Sequence, residues 1–172
     1  MTHAATPNTK GFTLIELLLY VAIVGTLLIA ISLFFGIAAD ARLKNQSVSE
    51  VNQQGTAAME YIVQTLRNAT SISAPAIGVT AASLTAVVPT GSLSPTIFDR
   101  SAGNALQVKE GAAAVVPLTS PDVQISNLAF DNMSRSATVE VVQISFTVSR
   151  VNTIGRNEYD YQKTFTSSVA LR

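Results

Sequence analysis

Between Leu17 and Ala39 the chain runs for 23 residues without a charged side chain, and only Tyr20, Thr26 and Ser32 bring a polar side-chain atom. A helix rises about 1.5 Å per residue, so this run spans about 30 Å of hydrocarbon with a little to spare. The core helix of a water-soluble domain seldom stays apolar on all sides for six turns. An ordinary secretory signal is also a poor match, because its apolar core covers only about 7 to 15 residues and ends at a small-residue cleavage site. Here the run is longer, and no such site precedes Asp40 and Arg42. The pattern predicts a membrane-crossing helix. At its N-terminal edge stands a carboxylate, Glu16. An acid near the end of a span reaches the interface, so its cost falls below the roughly 2.5 to 3.5 kcal/mol of a charge at the helix centre.

The helical pattern outlasts the apolar run. Val48, Val51, Gly55, Ala58, Ile62, Leu66 and Ala69 follow one another in steps of three or four, while Glu50, Asn52, Gln53, Glu60, Gln64 and Arg67 lie off that line. This is a narrow stripe on one helix face, the kind that packs against a sheet. No proline interrupts from Phe12 to Ala74, and Pro75 is the expected stop. Gly55 within the stripe costs about 1 kcal/mol relative to Ala unless close packing compensates.

Beyond Pro75 the chain turns to short β-like runs broken by Gly, Pro, Ser and Asn. Strands are expected at Ser83 to Val88 and Ala105 to Lys109, with a further one at Ala113 to Leu118. In Val139 to Val148, Val142, Ile144, Phe146 and Val148 alternate with Gln143, Ser145 and Thr147, which describes a half-buried strand. Gln124 to Phe130 and Tyr159 to Leu171 read the same way, with Phe165, Val169 and Leu171 on one face and turn residues between Asn152 and Glu158. The expected fold class is α+β: a long N-terminal helix packed on a small C-terminal antiparallel sheet.

Composition removes several function classes. Eleven basic residues balance eleven acidic ones and only 13% of the chain is charged, against the basic surplus of an electrostatic nucleic-acid binder. There is no cysteine, and the single histidine is His3. Without His3 no Ser-His-Asp machinery or histidine metal site remains. Asp99, Asp122, Asp131, Glu158 and Asp160 are scattered and form no spaced run of oxygen ligands. No cofactor, metal site or catalytic residue is expected, although a hydrolase using carboxylates alone is formally open.

The string "KGFTLIELLLYVAIVG", residues 10–25, resembles the cleavage and methylation segment of type IV prepilins and type II secretion pseudopilins. The resemblance implies that a prepilin peptidase/methyltransferase cuts between Gly11 and Phe12, removes residues 1–11 as a leader and methylates the new amine on Phe12. Lys10 matches the basic residue before the cut, and Glu16 the family's glutamate. The amine created at Phe12 is then the cation available to Glu16 in the apolar zone, either within one helix or between staggered neighbours. An unpaired buried charge is worse than a paired one, so the two residues form the expected assembly ion pair. The resemblance further implies residues 12–39 as a transmembrane and filament-core helix, 40–74 as its amphipathic continuation and 75–172 as an external β-rich domain.

Lys10 on one side of the span and Arg42 and Lys44 on the other nearly balance. The orientation, N-terminus in the cytoplasm and C-terminal domain outside the cytoplasmic membrane, therefore rests on the resemblance. So do the partners: other pilin or pseudopilin subunits, the peptidase, an inner-membrane assembly platform, the lipid bilayer before assembly, and nucleic acid only indirectly in a competence pilus. Many pilins have a proline near the position of Leu33 and paired cysteines, and this chain has neither. The ending "YDYQKTFTSSVALR" is similar to that of minor pilins, so a minor pilin or pseudopilin that starts or caps a filament is favoured. The alternative is a single-pass membrane protein with an external binding domain that does not polymerise.

Overall fold

A single helix, α1 (Leu14–Arg67, 54 residues), takes up both the apolar run and most of the stripe. The structure, a computed structural model, describes residues 11–136, 139–153 and 155–171. The chain divides into two compact units, one up to Ala41 and one from Arg42 onward. In the first unit every large apolar side chain from Phe12 to Ile37 is exposed.

In the second unit Val51, Gly55, Ala58, Ile62 and Leu66 are buried, with Ala69 just past the helix end. Met59 joins them, and Ser47, whose hydroxyl donates to the Leu43 carbonyl at 2.9 Å, is buried where Val48 is only half-buried. The helix stops at Arg67, short of the Ala74 expected from the missing proline. Thr70 is the reason: its N–H and hydroxyl both reach the Val87 carbonyl, at 2.7 and 3.0 Å, and draw the chain into a sheet. The β-branched Thr70 and Ile72 favour that outcome.

Nine strands follow among the described residues: β1 (Ser71–Ala74), β2 (Thr80–Ala81), β3 (Leu84–Val87), β4 (Thr96–Arg100), β5 (Leu106–Glu110), β6 (Val116–Pro117), β7 (Val123–Asn132), β8 (Val141–Arg150) and β9 (Gln162–Ala170). They form two antiparallel sheets rather than the one expected, in the orders β1-β3-β4-β5-β6 and β2-β7-β8-β9. The strands missing from the sequence reading are β1, β2 and β4. In β4 only Thr96 and Phe98 are buried, and Asp99-Arg100 give it the look of a loop. Tyr159, expected to open the last strand, instead ends a short 3-10 turn (Asn157–Tyr159), and the strand begins at Gln162.

The expected faces hold where the alternation was clear. Val142, Ile144, Phe146 and Val148 are buried, and Phe165, Val169 and Leu171 lie in or against the same core. In β7 the buried set switches from Val123 and Ile125 to Leu128, Phe130 and Asn132 across a bulge between Ser126 and Ala129. Asn127, at φ 51°, takes up the extra residue. Both sheets share one core with α1. Tyr61 meets the Phe98 ring edge-on at 6.2 Å and donates to Glu110 Oε1 at 2.8 Å. On the other sheet, Phe165 stacks on Phe146 at 5.7 Å and presses on the backbone of Gly55. A Cβ at residue 55 would overlap that ring, so close packing compensates for the glycine. The sheets are joined by Glu140, which accepts from the Ile72 N–H at 2.8 Å, and by buried Asn132, which donates to the Pro75 carbonyl at 2.8 Å.

Two expectations follow. Helix propensity alone favours Gly55→Ala by about 1 kcal/mol, but overlap with a ring backed by Phe146 costs about 1–3 kcal/mol. The variant melts several degrees lower by circular dichroism, and a higher melting point would mean that the ring yields freely. The second concerns Tyr61, whose hydroxyl is held above its ordinary value of 10.0 by burial, then by its hydrogen bond to Glu110 and that residue's charge. The folded state therefore holds this proton more tightly than the unfolded chain. The associated stability is present below pH 10 and declines as pH rises through the raised value. Tyr61→Phe removes that decline in urea melts taken from pH 9 to 11.

Candidate membrane and assembly segment

The first turn of α1 is set by Thr13. Its carbonyl accepts from the N–H groups of Glu16 and Leu17, both at 3.1 Å, and its hydroxyl accepts from the Glu16 N–H at 3.3 Å. Thr13 is thus the N-cap and Glu16 the third helical residue, the spacing of a capping box, T-x-x-E. A carboxylate there also faces the positive end of the helix dipole. The sequence reading missed Thr13. The signal was present in "TLIE", residues 13–16, where the T-x-x-E spacing overlaps the apolar run.

Along the apolar run the polar atoms turn inward on the helix. The Thr26 hydroxyl donates to the Ile23 carbonyl at 2.8 Å, and the Ser32 hydroxyl to the Leu28 carbonyl at 2.8 Å. Neither hydroxyl needs water, so neither opposes transfer into lipid. By length and composition the helix is apolar enough to cross a membrane, and none of its most apolar stretch is buried against the protein.

The structure places Phe12 immediately before the cap, 72% exposed and edge-on to Tyr20 with ring centroids 6.0 Å apart. Gly11 and Glu16 are also exposed. In the uncut chain the Phe12 nitrogen is a peptide amide, so the cation expected to pair with Glu16 does not yet exist. Among the described residues no basic group lies within ion-pair distance of its carboxylate. Lys10, with residues 1–9 of the expected leader, lies outside the described residues. Among the described residues no three His, Cys, Asp or Glu side chains gather into a metal-binding group.

A family model, the prokaryotic N-terminal methylation motif, matches residues 6–32. The N-terminal segment thus carries the methylation motif to which the resemblance to type IV prepilin-like proteins pointed. The match covers the cap, Glu16 and the apolar run as far as Ser32, and the remainder of the chain lies outside it. No curated protein and no solved structure matches the chain. The long helix packed on antiparallel sheets has the pilin-like α+β layout expected from the sequence.

Thr13→Ala deletes the side-chain acceptor at the helix start, an effect of about 1 kcal/mol. In detergent micelles the amide of Glu16 exchanges about fivefold faster in this variant, by nuclear magnetic resonance, while amides beyond Tyr20 are unchanged.

Proposed function

We propose that this protein is a subunit of a type IV pilus-like filament, a minor pilin or pseudopilin that helps to start or cap assembly. The observation behind it is the placement of Gly11, Phe12, Thr13 and Glu16 at the very start of a helix exposed and apolar on every side, inside a matched methylation motif. Motifs of this kind belong to structural subunits rather than enzymes. In this reading a prepilin peptidase cuts between Gly11 and Phe12, discards residues 1–11 with Lys10, and methylates Phe12. Residues 12–39 hold the subunit in the cytoplasmic membrane, N-terminus inside, and then enter the filament core. The part from Asp40 onward is external and meets other subunits and the assembly platform.

The chemistry of Glu16 follows from cleavage. Cutting converts an amide into an amine one helical turn from a carboxylate in an apolar zone. Neither charge is well solvated in a bundle of helices, so pairing across staggered neighbours offsets the burial of both. Glu16 then sets the lengthwise register of one subunit on the next. A role confined to the helix start, as the acid near the cap, leaves assembly intact when the charge is removed, because Thr13 still satisfies the turn.

Intact-mass measurement on the protein from its native membrane gives a chain beginning at N-methyl-Phe12. A full-length chain instead supports the non-polymerising membrane protein. Glu16→Gln and Glu16→Ala insert normally but fail to enter sheared filaments. Wild-type levels of incorporation for both variants would reduce Glu16 to its helix-start role.

A further inference from the structure

Where β8 ends, a charged side chain stands without a partner. Arg150 is the last residue of that strand and is half-buried. Its Nη1 is buried and has no hydrogen-bond acceptor, and among the described residues no carboxylate lies within ion-pair distance of the guanidinium. The acids that follow it in the chain are engaged elsewhere. Glu158 pairs with Arg156 at 3.2 Å, and Asp160 accepts from Asn152 Nδ2 at 3.3 Å. The Tyr159 ring covers one face of the guanidinium, with its centre 5.0 Å from Cζ. Stacking of this kind leaves the donors in the guanidinium plane unanswered. A buried N–H without an acceptor forfeits its bond to water and receives nothing in return.

Arg150 lines a cavity of about 420 Å³, within the about 300–1,000 Å³ of small-molecule sites. Gln124, Ser149 and Gln162 line it too, and none of their side chains has a hydrogen-bond partner among the described residues. Strand register brings these three together. Ser149 is paired with Gln124 of β7 on one side and with Gln162 of β9 on the other, and directly paired residues share a face of the sheet. Asn152 shapes another wall. Its Oδ1 accepts from the N–H groups of Gly155 and Arg156 at 2.9 and 3.2 Å, and its Nδ2 donates to the Arg156 carbonyl at 2.9 Å as well as to Asp160. That network fixes where the Asp160 carboxylate stands in the lining.

We propose that this cavity binds a carboxylated sugar, with the carboxylate on Arg150 and the hydroxyls on Gln124, Ser149 and Gln162. Each part of the lining selects a part of that ligand. A guanidinium meets a carboxylate in its own plane through two parallel hydrogen bonds. Carboxamides and hydroxyls both donate and accept, as sugar hydroxyls do, so each of these bonds is made in either direction. The Asp160 carboxylate only accepts, and takes a hydroxyl proton. Its charge also counts against a doubly charged phosphate in the same space. Tyr161, half-buried in the lining, offers an apolar wall to the C–H face of a sugar ring. Gln162 is exposed as well as unpartnered, so it is free to turn aside and admit the carboxylate to Nη1. The cavity is made by β7, β8, β9 and the residues that join the last two, so the proposal does not depend on the filament reading.

The test is a titration of the full chain in detergent micelles, followed by nuclear magnetic resonance. The probe is sodium D-glucuronate, compared at matched ionic strength with D-glucose, acetate and inorganic phosphate. Glucuronate gives saturable shifts at the amides of Gln124, Ser149, Arg150 and Gln162 and leaves those of β1, β3 and β4 unchanged. Glucose lacks the carboxylate and acetate the hydroxyls, and each binds about tenfold more weakly. Arg150→Lys keeps the charge without the planar fork, and weakens glucuronate about tenfold while leaving glucose unchanged. Should a change at Arg150 disturb folding, Gln162→Ala at an exposed position weakens glucuronate and glucose alike, about fivefold. The absence of saturable shifts with glucuronate overturns the proposal. Glucose binding as tightly as glucuronate also overturns it, by taking Arg150 out of the site. Acetate or phosphate binding as tightly does so too, by reducing the cavity to an unselective anion site. No step involves cleavage or a filament, so failure here counts against the cavity and leaves the assembly reading untouched.

Discussion

In hydrocarbon every backbone polar group must find its partner within the protein, and for Leu17–Ala39 a continuous helix is the way to do it. That requirement governs the first unit completely. Thr26 and Ser32 obey it too, returning their hydroxyls to carbonyls of their own helix. The surface of this segment is leucine, isoleucine, valine and phenylalanine, each exposed. Such a surface is stable in lipid or among similar helices, and in the proposed assembly it passes from one to the other.

The same helix obeys a different rule from Arg42 onward. Its apolar residues narrow to one stripe, and the stripe is buried by two sheets. Tyr61 anchors it to the first sheet through Phe98 and Glu110, and Gly55 and Asn52 anchor it to the second through Phe165 and Lys163. Gly55 is the close point. A glycine there weakens the isolated helix but admits a phenylalanine ring to the backbone itself. Because Phe165 stacks on Phe146, the contact continues into the centre of the second sheet.

At the other end of the helix, four residues combine two functions. Thr13 and Glu16 begin the helix by capping and by charge, and Gly11-Phe12 is the proposed cut. The arrangement joins folding and processing, since the cap lies one residue beyond the proposed new terminus. Glu16 therefore has a structural role at the helix start, and in the proposed assembly it gains a charge partner only after the proposed cut. Its position at the third helical residue is where both roles meet.

The apolar span, the stripe, the β8 and β9 faces and the methylation segment were all legible in the chain, because each is a local period or a contiguous string. Less was visible where the cause lay far away in sequence. Thr70 ends the helix by reaching Val87, β4 is a strand because β3 and β5 flank it, and the bulge at Asn127 shifts the buried positions of β7 from odd- to even-numbered residues. The sequence by itself determined that one helix would have two kinds of surface and that a β-rich part would cover its stripe, since hydrophobic periodicity is a property of neighbouring residues. Only the tertiary structure decided that the strands divide into two sheets, that Gly55 meets Phe165 and that β9 lies at a sheet edge. Strand pairing is made by hydrogen bonds between distant backbones, and those carry no mark in the side chains.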